Sequence, residues 1–118
     1  MRQRTRVGWC SLLIWLLAGG SAHAGQPLNT LERLKETGVL RVGYGDTAPF
    51  SYVDDQGEVV GYSIDICQRL AGQLQRQLAI PALEITYVPR TPSNRIQLLN
   101  SGDIDIECNA STNTEERR

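Results

Sequence analysis

Arg95 and Arg117 are the side chains best equipped to do chemistry in this sequence. A guanidinium is a rigid fork of donors, able to hold a carboxylate through parallel hydrogen bonds worth about 1.5–3 kcal/mol each when charge-assisted. Ser111, Thr112 and Thr114 place hydroxyls just ahead of Arg117, and the free amides of a helix opening at Thr114 would favour an anion. Phe50 and Tyr52 can form an apolar wall against the same ligand. The chemistry is capture of a small carboxylate. Plainer roles exist for each group: Arg95 paired with a surface acid, Arg117 in water, the hydroxyls capping loops, the two rings filling a hairpin core. Residue types alone leave both readings open.

Catalytic machinery is harder to assemble. The one histidine, His23, lies near the amino terminus, so the remainder has no Ser-His-Asp set. Asp103, Asp105 and Glu107 alternate, which puts them on one face of a strand with Ile104 and Ile106 on the other. That pattern predicts a half-exposed edge. Gly43-x-Gly45 lacks the third glycine and the immediate helix of a dinucleotide site. With no CxxC and no histidine beyond His23, neither a metal nor another cofactor is expected. No basic cluster is long enough to follow a phosphate backbone, which argues against a nucleic-acid partner.

Alternating elements must position these groups. Leu28, Leu31 and Leu34 give residues 28–37 one apolar helical face, with Asn29 able to cap and Gly38 to stop it. Residues 39–42 form a short strand that runs into Gly43-Tyr44-Gly45-Asp46. Residues 50–53 and 58–60 flank Asp54-Asp55-Gln56-Gly57 as a hairpin. Ser63 is placed to cap a longer helix carrying Ile64, Cys67, Leu70, Ala71, Leu74 and Leu78 on one stripe, ended by Pro81. A strand over 83–88, a helix over about 93–100 closed by Gly102, a strand over 103–106 and a last helix opening at Thr114 follow. This order predicts an α/β fold: a parallel sheet with flanking helices and a β-hairpin insertion. Ligands of such sheets sit beyond the carboxyl ends of the strands, which selects residues 43–52, 89–95 and 107–117.

The amino terminus predicts export. Arg2, Arg4 and Arg6 precede an apolar run from Val7 to Ala18, then Ala22-His23-Ala24, the layout of a signal peptide cut after residue 24. The run is shorter than the roughly 20 residues a spanning helix needs. With three of the 12 basic residues in that leader, nine remain against 13 acids, a formal charge of −4. Two cysteines remain, Cys67 and Cys108. In an oxidising compartment an even pair suggests a disulfide, with two separate buried thiols as the alternative.

Longer stretches carry a family resemblance. Residues 38–43 (Gly-Val-Leu-Arg-Val-Gly), 48–52 (Ala-Pro-Phe-Ser-Tyr) and 57–65, with Gly61-Tyr62-Ser63-Ile64-Asp65, resemble the opening of the family 3 extracellular solute-binding proteins, the periplasmic receptors of polar amino-acid ABC transporters. Residues 94–102, 105–108 and 111–117 resemble the glutamate/aspartate-binding branch. The resemblance implies a periplasmic-binding-protein type II-like lobe, an amino-acid ligand, a membrane permease as partner and no catalysis. By position it implies that Arg117 grips the ligand α-carboxylate, that Thr112 donates to it, and that Arg95 lies at the pocket. The branch tends to place an arginine after the first strand, where this chain has Tyr44-Gly45-Asp46, and serine where Pro92 and Ala110 stand. The chain ends one residue past Arg117, so residues 25–118 are expected to be a partial first lobe. One open lobe buries little of a small ligand, so weak affinity is expected. Periplasmic dehydratases acting on prephenate-like acids, and sensor modules of membrane receptors, resemble the same lobe and are the alternatives.

Overall fold

The computed structural model describes residues 29–112 and 114–117; the expected signal peptide, Asn113 and Arg118 lie outside the described residues. Helix α1, Thr30–Thr37, starts in a capping box in which Asn29 Oδ1 accepts from the Glu32 amide at 3.0 Å and Glu32 returns a carboxylate to the Asn29 amide. Gly38, at φ 65°, stops it in the left-handed region. Leu34 is buried, whereas Leu31 stays exposed, so the apolar face is narrower than its spacing suggests.

Strand β1, Val39–Tyr44, is the centre of a three-stranded parallel sheet. It pairs with β4, Glu84–Pro89, from Val39 opposite Glu84 to Tyr44 opposite Pro89, and with β5, Ile106–Glu107, at Val42 and Gly43. Between them a separate antiparallel hairpin joins β2, Tyr52–Val53, to β3, Val59–Val60, across a turn in which Asp54 Oδ1 accepts from the amides of Gln56 and Glu58. Successive strands β4 and β5 thus fall on opposite sides of β1.

Helix α2, Tyr62–Gln77, buries Ile64, Cys67 and Ala71 against Leu40 and Val42 of β1, with Leu74 and Leu78 packed alongside. Leu70 falls on the flank of that stripe and is 39% exposed. The helix does not begin with a Ser63 cap. The amides of Tyr62 and Ser63 donate instead to the carbonyls of Pro49 and Phe50 at 3.0 and 2.9 Å, so the returning hairpin satisfies the first turn. Gly61 allows this at φ 129°, where a Cβ would collide with the Phe50 carbonyl. The helix also ends before Pro81, with Ala79 at φ 53° making the exit.

Helix α3, Arg95–Ser101, is closed by Gly102 at φ 77°. Strand β5 then begins three residues later than the alternation of 103–106 suggests. The cause is Asp105: its carboxylate accepts the Arg41 amide at 2.8 Å, taking the donor that an earlier ladder would use. The expected half-exposed acidic edge is also corrected. The Asp105 side chain is 4% exposed and meets Arg33 and Arg41, and Glu107 is 13% exposed and meets Arg90. The sulfurs of Cys67 and Cys108 are bonded, with Cα atoms 6.3 Å apart, tying α2 to the end of β5. Among the described residues no helix is long and apolar enough to cross a membrane.

Candidate functional site

The carboxyl ends of β1 and β4 open into a cleft of about 320 Å³ lined by Tyr44, Gly45, Asp46, Val53, Pro89 and Arg90. The loop after β1 is held from below: the Gly45 amide donates to Ser51 Oγ at 3.1 Å, and Ser51 is fully buried. Gly45 leaves room for two neighbours, since a Cβ there would run into the Asn109 amide and lie 3.4 Å from Arg90 Cζ. Gly43 does the same one step back, where a Cβ would come 2.6 Å from Ile104 Cδ1 and 3.7 Å from Arg90 Cγ. Two bare α-carbons therefore give the Arg90 side chain its bed.

Arg90 extends the β1–β4 ladder by donating its amide to the Tyr44 carbonyl at 2.9 Å. Its side chain is only 4% exposed, and Nη2 is ion-paired with Glu107 Oε1. Ser111 Oγ donates to the same carboxylate oxygen at 3.1 Å. Arg90 Nε is buried and has no hydrogen-bond acceptor among the described residues. A buried donor left over in this way is uncommon. Glu107 lines a second, smaller cleft of about 220 Å³ with Ser63, Ile66, Cys67, Cys108 and Asn109.

The residues singled out from the sequence distribute unevenly around this centre. Ser111 is brought to it directly, through Glu107. Thr112 follows and is exposed. Phe50 is 39% exposed and Tyr52 is half-buried in β2; the hairpin residue that lines the larger cleft is Val53. Arg95 is the first residue of α3, half-buried, and its side chain has no hydrogen bond or ion pair among the described residues. Arg117 ends a single 3₁₀ turn, Glu115–Arg117, and its side chain lies outside the described structure. Thr114 Oγ1 is buried without a hydrogen bond among the described residues. Arg90 and Glu107 were not among the candidates. The available signals were a cation directly after an alternating strand, and an acid out of place on one expected to be half exposed.

Residues 40–118 match the bacterial extracellular solute-binding proteins, family 3. The chain is 39% identical over 113 residues to a glutamate/aspartate import solute-binding protein of Salmonella typhimurium, covering 92% of this chain and 37% of the relative. It is 35% identical over 105 residues to a cyclohexadienyl dehydratase of Pseudomonas aeruginosa, covering 87% of this chain and 36% of that enzyme. Among solved structures it resembles the arginine-bound form of domain 1 from TmArgBP, with a TM-score of 0.61 and 31% identity over 72% of this chain and 63% of that one. The chain thus spans little more than a third of the length of the two curated relatives.

Proposed function

The chain belongs to the bacterial extracellular solute-binding proteins of family 3, and from that premise we propose that it binds a polar amino acid at the carboxyl ends of β1, β4 and β5. Its fold is part of one lobe of such proteins. The observation that carries the reading is the cleft at those strand ends, with a buried arginine donor unsatisfied beside it. In this reading Arg117 and Thr112 hold the ligand α-carboxylate, Ser111 steadies Glu107, and Arg95, Phe50 and Tyr52 border the ligand. The protein serves in the periplasm, after removal of residues 1–24, as the substrate-binding component of an ABC transporter whose permease is its membrane partner. Residues 25–118 act as a partial first lobe. A structural relative of similar scale, a single domain, is in an arginine-bound form, which supports ligand capture without enclosure between two lobes.

Calorimetric titration of the full chain with polar amino acids tests this. Arg117→Lys keeps the charge but not the fork, so it should raise Kd roughly tenfold to a hundredfold, the equivalent of a charged hydrogen bond. Arg118→Lys should leave Kd unchanged. Equal behaviour of the two variants would remove Arg117 from the site. The dehydratase relative favours a second reading, in which the cleft acts on a prephenate-like acid. Incubation with prephenate should leave it intact, because the described residues contain no histidine.

A further inference from the structure

This inference rests on the amino-acid-binding reading and concerns what governs it. Cys108 sits between two residues that tie the end of β5 to the larger cleft. On one side Glu107 is ion-paired with Arg90; on the other, the Asn109 amide lies over the bare α-carbon of Gly45. Arg90 and Gly45 both line that cleft. Thr112 and Arg117, the proposed carboxylate grip, follow in the same segment. Its ladder to the sheet is short. Strand β5 pairs with β1 at two positions, against six for β4, and the Cys108 amide adds one bond to the Gly43 carbonyl at 2.9 Å. The covalent anchor of the segment is the bridge to Cys67 on α2.

Both half-cystines also line the smaller cleft, Cys67 being 7% exposed and Cys108 2%. We propose that the bridge is a thiol-exchange site: a small thiol entering that cleft opens it, and opening it weakens amino-acid binding. The incoming thiolate forms a bond to Cys67 Sγ, the less buried partner. The Cys67–Cys108 bond breaks, and its electron pair leaves on Cys108 Sγ, which takes a proton from water. A second thiolate attacks the small thiol's sulfur in the mixed disulfide and releases Cys67 as a thiol. Two small thiols are thus oxidised to one disulfide, and the bridge is reduced to two thiols. Leu34, Leu40, Val42, Ile64, Ala71 and Ile80, the rest of the buried cluster, are unaltered by the exchange, so the fold persists. The segment carrying Glu107 and Asn109 loses its anchor, and the wall of the larger cleft loses its fixed position. The oxidised chain holds the site ready, whereas the reduced chain must order it on binding.

The test uses the full chain and 2-mercaptoethanol, which has neither carboxylate nor amine to compete for the ligand site. L-glutamate, L-glutamine and L-arginine are titrated calorimetrically against the oxidised and the reduced chain, with thiols counted by alkylation and mass spectrometry. The Kd of the tightest of the three should rise about fivefold or more on reduction, within the usual range of coupling between two sites, with far-UV circular dichroism retained. By reciprocity that amino acid should shift the exchange equilibrium toward the bridge by the same factor. Ile66→Trp, at an exposed residue on the smaller cleft, should slow opening about threefold or more by narrowing access and leave the oxidised chain's Kd unchanged. An unchanged Kd in the folded reduced chain, a bridge that the thiol does not open, or an Ile66→Trp chain that opens as fast as the native one overturns the inference and leaves amino-acid binding standing. Loss of the far-UV signal on reduction also overturns it, since the bridge would then hold the fold and not the site. Binding of none of the three to the oxidised chain overturns both.

Discussion

Asp105 and Glu107 are two residues apart and both meet arginines, yet they do opposite things. Asp105, at the entry to β5, accepts from the Arg41 amide at 2.8 Å and from Arg41 Nη2 at 3.2 Å, and is ion-paired with Arg33 Nη2 at 2.5 Å. Burial alone would raise its pKa; the Arg41 amide and the Arg41 and Arg33 guanidiniums outweigh that and hold the carboxyl below its ordinary value. Two arginines and one backbone amide converge there on a single carboxylate. Glu107, at the exit of β5, shares one oxygen between Arg90 and Ser111, and Arg90 Nε has no acceptor among the described residues. The same pairing chemistry is a staple at one end of the strand and, in the proposed reading, part of the ligand site at the other. What separates them is the number of donors that converge, not the residue types.

The disulfide offers the strongest way to break this contrast, because it holds Cys108, next to Glu107 and three residues from Asp105. A Cys67→Ala, Cys108→Ala double variant loses a cross-link over a separation of 41 residues, worth about 4 kcal/mol on the chain-entropy model. Chemical denaturation should show that loss. Hydrogen exchange in the variant should quicken at residues 107–111 before 103–105, and equal quickening at both ends would contradict the division between staple and site.

Asp105→Asn comes next in size. It removes the charge that Arg33 and Arg41 converge on, and because both arginines are partly exposed the loss should be about 2 kcal/mol, near one charged hydrogen bond. The native state holds the Asp105 pKa below its ordinary 3.8, so it binds fewer protons than the unfolded chain in that window. The stabilisation is present above the unfolded value and disappears as pH falls through the depressed folded value. Denaturation midpoints of the native chain should therefore drop in acid, and those of Asp105→Asn should drop less. Parallel curves would mean that Asp105 contributes nothing through its charge.

The elements that could be read from sequence are those whose signals are local. The Asn29–Glu32 capping box and Gly38 bound α1 within ten residues, and alternation marks β1 and β4. The missed features all depend on partners far along the chain. The start of α2 is set by carbonyls of residues 49 and 50, a role no reading of Ser63 as a cap contains. The start of β5 is set by an amide 64 positions earlier, at Arg41. Arg90 and Glu107 belong to two different strand ends and become a pair only once β4 and β5 flank β1. The rule that ligands lie beyond the strand ends selected segments that hold Tyr44, Gly45, Asp46, Pro89 and Arg90 of the cleft lining, but it could not say which side chain in 89–95 is buried.

Ser111→Ala is the smallest of these perturbations and the sharpest on the comparison. Its hydroxyl makes one hydrogen bond, to Glu107 Oε1 at 3.1 Å, and the residue is exposed, so water can replace the lost donor. Stability should therefore change by no more than about 0.5 kcal/mol, as for a surface substitution. Glu107, however, loses the second of its two donors and is left positioned by Arg90 alone. The ligand's Kd should rise by about threefold, on the order of a weak net hydrogen bond, while the melting temperature barely moves. The matching change at the staple, Arg33→Ala, should do the reverse: it removes one of several donors to Asp105, lowering stability without touching Kd. Paired melting and calorimetry on the two variants separate the cases. If Ser111→Ala lowers stability as Arg33→Ala does and leaves Kd alone, the exit of β5 is a second staple and the cleft has no claim on Glu107.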